Sequence, residues 1–180
     1  NQPSKVYISL GSNQGDKFKN LQAAVDAIYR VIGNIKIISK VYKSVAMGFD
    51  GADFFNACLV VETNMASGNI MKRLLEIEKK LGRVRTDEKV YQNRIIDLDI
   101  LFIDDEVLDK KALVVPHPEL HNRKFVLQPL NDIAPDFIHP KFNKKVSELF
   151  ELCKDKNRLE FINIWLKNPK NKQQFSGYNY

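Results

Sequence analysis

Two hydrophobic rhythms alternate along the chain, and together they lay out its elements. Val6-Tyr7-Ile8-Ser9-Leu10 reads as a short strand, ended by the turn Gly11-Ser12-Asn13-Gln14-Gly15. Asp16 can then cap a helix in which Leu21, Ala24, Val25, Ile28 and Val31-Ile32 recur at helical spacing and which closes at Gly33. The span from Ile35 to Val45 is rich in β-branched residues and predicts a second strand; Met47 to Asp53, with two glycines and two aspartates, predicts a loop. Phe54 to Glu62 is a third strand, largely apolar except for Asn56. Ser67 is positioned to cap a second helix carrying Ile70, Met71, Leu74, Leu75, Ile77, Glu78 and Leu81, with Gly82 at its end. A strand through Ile96, Leu98 and Ile100 follows. Strand, helix, strand, strand, helix, strand is the split β-α-β order of ferredoxin-like α+β folds: one antiparallel sheet, both helices on one face, the other face open to a ligand.

The last of those strands carries the candidate chemistry. Asp97 and Asp99 share a parity opposite to Ile96, Leu98 and Ile100, so both carboxylates project from one face of a strand. Neighbouring carboxylates repel unless a cation lies between them, and hard oxygen ligands suit Mg²⁺, which completes its shell with water and phosphate oxygens. Arg83, Arg85 and Arg94 in the same stretch supply the charge that a polyphosphate requires. An isolated Asp-x-Asp is more often the wet face of a strand, and only the remaining residues shift that balance. They include His117 between Pro116 and Pro118, then Arg123 and Phe125, and Asn56, a polar amide that needs partners inside an apolar strand. The glycine turn after the first strand lacks the Lys-Ser/Thr of a P-loop.

After a hairpin-like turn at Asp104-Asp105-Glu106, Val107-Leu108 and Leu113-Val114-Val115 read as short extra strands; His117 then falls in a loop framed by two prolines, in a segment that ends at Ile133-Ala134-Pro135-Asp136. Helical patterns follow at Val146–Cys153 and Leu159–Leu166. Length changes the picture only by setting one domain as the default: 180 residues at 44% hydrophobic are enough for one buried core. We expect one domain over residues 1–166 and a polar tail or linker over 167–180, entering another module if the chain is fused to one. Most of the +6 charge comes from lysines in the last forty residues, a solvated surface rather than a nucleic-acid groove. No apolar run approaches eighteen residues and Cys58 and Cys153 form no disulfide or metal spacing. The expectation is a cytoplasmic monomer acting on small molecules, without nucleic-acid or membrane partners. No Ser or Cys sits in a nucleophile-like setting, and the three histidines are not read as a zinc site. What fits is metal-dependent phosphoryl chemistry on a flat acceptor.

Five motifs carry a family resemblance from about Val6 to Phe150. They are Gly11-Ser12-Asn13, Phe54-Phe55-Asn56-Ala57, Gly82-Arg83-Val84-Arg85, Arg94-Ile95-Ile96-Asp97-Leu98-Asp99-Ile100-Leu101, and Val115-Pro116-His117-Pro118 with Asn122-Arg123-Lys124-Phe125-Val126-Leu127. The chain resembles the 6-hydroxymethyl-7,8-dihydropterin pyrophosphokinases, folate-pathway enzymes that move pyrophosphate from ATP to a pterin alcohol and release AMP. The resemblance implies two Mg²⁺ ions held by Asp97 and Asp99, and phosphate contacts from Arg83, Arg94, His117 and Arg123, with Arg85 nearby. It also implies Glu78 near the nucleotide, and Ile100 and Leu113 against adenine. The pterin would stack between Phe54 and Phe125, hydrogen-bond to Asn56, and be lined by Ser44 and Met47; Asp97 is a candidate to assist deprotonation of the acceptor hydroxyl. Two departures stand out. Gln92-Asn93 replaces the family's usual Gly-Pro in a loop one residue longer than in some relatives, and Ser44-Val45-Ala46 replaces Thr-Pro-Pro, so we expect altered lid closure or product release. Tyr91 is a candidate aromatic to close over the pterin. RNA-recognition domains share the strand order, but this chain has no strand-borne run of exposed aromatics of their kind.

Overall fold

The computed structural model describes residues 2–45, 53–82 and 95–171. Among these, β1 (Ser4–Ser12), α1 (Lys17–Val31), β2 (Asn34–Ile38), β3 (Val41–Ser44), β4 (Phe54–Thr63), α2 (Ser67–Lys80) and β5 (Asp97–Ile103) follow in the predicted order. The main sheet runs β5-β1-β4-β3, with β2 also on β4, and β1 to β5 are joined by antiparallel pairings. This is the ferredoxin-like arrangement, with the expected second strand divided in two. Its division has a local cause. The Ser39 hydroxyl donates to the Lys40 carbonyl (2.7 Å) and accepts the Cys58 N–H (2.8 Å), so a side chain takes over the pairing between β2 and β3.

Strand alternation sorts the core into two layers. Val6, Ile8, Leu10, Ala57, Leu59, Val61, Leu98 and Ile100 pack with Leu21, Val25, Ile28, Ile70, Leu74 and Ile77 of α1 and α2. The Asp16 carboxylate accepts the Lys19 N–H at 3.1 Å, capping α1 as expected. At α2 the expectation fails: Ala66, not Ser67, is the N-cap residue, and no side chain caps it. On the opposite face Tyr7, Cys58, Val60, Leu101 and Phe102 meet Val126, Leu127 and Leu130 of α3 (Lys124–Ile133) and Val146 and Leu149 of α4 (Val146–Leu152). That face is therefore helix-covered over part of its area rather than bare.

α3, a helix the sequence pattern did not assign, runs through Pro129, which lacks the N–H that would bond to the Phe125 carbonyl. β6 (Leu108–Lys110) and β7 (Leu113–Val115) pair with each other as a separate ribbon. The expected helix at Leu159–Leu166 is instead β8 (Glu160–Ile162) followed by irregular chain, and β8 completes the sheet by pairing with Val41–Lys43 of β3. No helix among the described residues is long and apolar enough to cross a membrane.

Candidate active site

The register of the three central strands builds the site. Tyr42 pairs with Asn56, Asn56 with Gly11, and Gly11 with Asp97, so one cross-strand row links β3, β4, β1 and β5. The next row is Cys58, Ser9 and Asp99. Parity puts Asn56, Gly11, Asp97 and Asp99 on the α3 side of the sheet, beyond the part that α3 covers. Cys58 lies under the start of α3, its sulfur 3.7 Å from the Val126 carbonyl, so the helix begins where the polar row begins.

Asn56 is 4% exposed and its amide is oriented. Nδ2 donates to the Ser44 hydroxyl (2.8 Å) and, at greater length, to the carbonyls of Tyr42 (3.3 Å) and Phe54 (3.5 Å). Its protons are spent on protein, which turns the Oδ1 acceptor toward whatever enters. A Cβ on Gly11 would lie 3.5 Å from both that Oδ1 and Phe54 Cδ1, so the missing side chain leaves a groove between the amide and the carboxylates. Phe54 and Phe125 are both half-buried, Phe54 beside Gly11 and Phe125 against the second core layer. Lys17 fixes the approach to β4: Nζ donates to the Asp53 carbonyl (3.0 Å) and lies 4.9 Å from the centre of the Phe55 ring.

His117, Arg123 and Asp97 form the charged side. The His117 N–H donates to the Leu101 carbonyl (2.9 Å), tying the loop to β5, and its Nδ1 accepts the Glu119 N–H at 3.1 Å. In the neutral ring the proton is then on Nε2, free to donate to an anion. Burial, then the Arg123 guanidinium, lower the His117 pKa below 6.5, while Asp97 and Glu119 oppose the shift. Arg123 stands as N-cap residue of α3 with its guanidinium 5.8 Å from the Phe125 ring centre. Glu78 is 2% exposed, on the last turn of α2, and accepts the Leu98 N–H at 2.8 Å. Ile100 and Leu113 are buried in the first core layer. Met47, Arg83, Arg85, Tyr91, Gln92, Asn93 and Arg94 lie outside the described residues.

The structure thus brings Asn56, Phe54, Ser44, Asp97, Asp99, His117, Arg123 and Phe125 to one end of one face. Sequence reasoning did not single out Lys17 or the pairing role of Gly11. Only strand register could have exposed Gly11, because its partners are some 45 and 86 positions away. Side-by-side carboxylates with oxygen donors only, bordered by an unfilled groove, suit a hard divalent cation. Among the described residues no cluster of three or more His, Cys, Asp or Glu offers a different metal site.

Comparison with known proteins identifies the family. The family model for 7,8-dihydro-6-hydroxymethylpterin-pyrophosphokinase (HPPK) matches residues 7–135. A Synechocystis 2-amino-4-hydroxy-6-hydroxymethyldihydropteridine pyrophosphokinase is 35% identical over 147 residues, covering 81% of this chain and 74% of that protein. The Pneumocystis carinii folic acid synthesis protein fol1 is 36% identical over 96% of this chain, but the match spans only 23% of fol1. Wild-type Plasmodium falciparum HPPK-DHPS has a similar fold, with a TM-score of 0.67 at 16% identity over 84% of this chain and 45% of that one. With the family model matched across most of its length and a relative of similar extent above 30% identity, the chain belongs to the HPPK family.

Proposed function

We propose that this protein transfers pyrophosphate from ATP to 6-hydroxymethyl-7,8-dihydropterin, giving the pterin diphosphate and AMP in folate biosynthesis. The observation that carries the reading is the row Asn56–Gly11–Asp97, which lines up a ring-reading amide with a metal-competent acid across adjacent strands. A pterin edge donates N–H groups, and the oriented Asn56 Oδ1 accepts them; Phe54 and Phe125 supply faces for the ring, and Ser44 and Met47 the wall. Asp97 and Asp99 would hold two Mg²⁺ ions, which when bound neutralise and orient the triphosphate. Arg83, Arg94, His117 and Arg123 contact phosphate oxygens, with Arg85 beside them; Glu78, Ile100 and Leu113 border the nucleotide.

In the reaction the hydroxymethyl oxygen forms a bond to the β-phosphorus of ATP. The bond from that phosphorus to the α–β bridging oxygen breaks, and AMP departs with the electron pair. The hydroxyl proton passes to the Asp97 carboxylate. Arg123 and the Nε2–H of His117 stabilise charge gathering on the equatorial oxygens. Residues 1–166 act as one catalytic unit and as a monomer, with 167–180 a polar tail whose first residues hydrogen-bond back to Gln22 and the Ile35 carbonyl; occurrence of the family within the longer fol1 chain supports such a unit inside a fusion.

The test is a pair of measurements. Thermal shift with the pterin alcohol, a non-hydrolysable ATP analogue and Mg²⁺ should show stabilisation by the three together beyond any pair. Chromatography should detect AMP and pterin diphosphate in equal amounts. Asp97→Asn and Asp99→Asn should each lower turnover by at least about a hundredfold. Full turnover in both variants would sink the assignment.

A further inference from the structure

Among the described residues β5 is an edge strand, pairing with β1 on one side. The N–H groups on the outer side of such a strand need partners from elsewhere or must stay in water. Leu98 is buried and lies between Asp97 and Asp99, and its outward N–H is met by a carboxylate, Glu78 Oε2, at 2.8 Å. That carboxylate arrives from the last turn of α2 and is itself 2% exposed. The helix end beside it has little slack. Gly82 takes φ +100°, and a Cβ there would come within 3.1 Å of Ile95 Cδ1, just before β5 begins.

From this geometry we infer that Glu78 is a positioning residue: its carboxylate grips the Leu98 N–H and thereby fixes the spacing and aim of the two aspartates that flank it. The Leu98 nitrogen is bonded to the Asp97 carbonyl carbon, so holding it fixes the peptide plane that joins Asp97 to Leu98, one residue before Asp99. A hydrogen bond accepted by a charged group is shorter and stronger than one between neutral groups, which suits it to restrain a strand lacking a neighbour. The proposal rests on the reading of Asp97 and Asp99 as cation ligands, and it assigns Glu78 a task other than touching the nucleotide. Partners that orient a ligand set characteristically change metal affinity ten- to a hundredfold when removed, roughly the range expected here.

Two readouts test it, neither needing turnover. Amide hydrogen exchange by NMR follows Leu98 directly, and electron paramagnetic resonance follows Mn²⁺ uptake in the presence of a non-hydrolysable ATP analogue. Glu78→Ala should accelerate Leu98 exchange relative to other β5 amides and weaken Mn²⁺ uptake about ten- to a hundredfold. Glu78→Gln, which keeps an acceptor at the same reach, should restore both to within a few-fold of wild type. Glu78→Asp, which retracts the acceptor but keeps the charge, should resemble Glu78→Ala and serves if the alanine variant does not fold. Binding of the analogue without metal should weaken less than Mn²⁺ uptake in each. Unchanged Leu98 exchange or unchanged Mn²⁺ uptake in Glu78→Ala or Glu78→Asp overturns the proposal, as does an equal loss of metal-free nucleotide binding, which would make Glu78 a direct contact. Failure of the wild-type protein to take up Mn²⁺ overturns the reading of the aspartates and the proposal with it.

Discussion

Ser44→Ala is the sharpest probe of how the site reads its acceptor. The substitution removes one oxygen, the short partner of Asn56 Nδ2 at 2.8 Å, and leaves the carbonyls of Tyr42 and Phe54 at 3.3 and 3.5 Å. Those two are at or beyond the usual length of an N–H···O bond, so they hold the amide more weakly. Flipping Asn56 would set its carbonyl oxygen against the two backbone carbonyls, with only the Ser44 hydroxyl able to pair with it. Without Ser44 the amide loses its shortest anchor, worth one buried hydrogen bond, about 1 kcal/mol net and up to about 3 if a donor is left orphaned. Pterin affinity should therefore drop by roughly five- to a hundredfold, while affinity for the ATP analogue, bound on the carboxylate side, stays within about twofold. Fluorescence or calorimetric titration with the pterin alcohol measures this in wild type, Ser44→Ala, Asn56→Ala and the double variant. Since Ser44 acts through Asn56, its effect should vanish in the Asn56→Ala background. A Ser44→Ala loss that persists there, or no loss at all, would refute the oriented-amide argument.

Gly11→Ala should fold normally, because the added methyl meets only ordinary 3.5 Å contacts, yet it should weaken pterin binding about tenfold or more by filling the groove; equal titration curves would count against that groove as the binding place. A third prediction concerns acid. His139 is 2% exposed, and its Nδ1 accepts the N–H groups of Lys141 and Phe142, each at 3.1 Å. Burial first, then His121 and Lys141, push its pKa down from 6.5 to about 4. A histidine held below its unfolded value carries no penalty above about pH 6.5, and loses stability as pH falls from there toward 4, since the unfolded chain binds the proton more readily. The gap corresponds to roughly 3 kcal/mol, to be read from urea midpoints between pH 7 and pH 4. His139→Phe should begin less stable at pH 7 and show a flatter decline; parallel declines in the two proteins would contradict the assignment.

Most of the framework was legible in the residues because β1, α1, β4, α2 and β5 each have a clear period and bury one face. The aspartate pair was legible for the same reason, alternation against Leu98 and Ile100. The misses have physical causes. Residues 159–166 contain apolar positions compatible with a helix, but β3 presents an open edge there, and pairing with Glu160–Ile162 outweighs local pattern. α3 went unassigned although its apolar side is packed on the sheet, and that packing also carries the helix through Pro129 and its missing N–H. For Glu78 the spacing gave only its side of the helix; the partner, a main-chain N–H twenty residues on, has no side-chain signature. The amide orientation of Asn56 was invisible for a like reason, since two of its acceptors are carbonyls.

The backbone pairing of three neighbouring strands also acts as a ruler. Asn56 and Asp97 are separated by two inter-strand spacings across Gly11, about 10 Å, a length set by main-chain hydrogen bonding rather than by any side chain. On the proposed reading, the sheet itself then sets how long the acceptor's reactive arm can be. Point substitutions in the pocket can loosen grip on the ring, while the backbone spacing beneath it stays with the strand pairing.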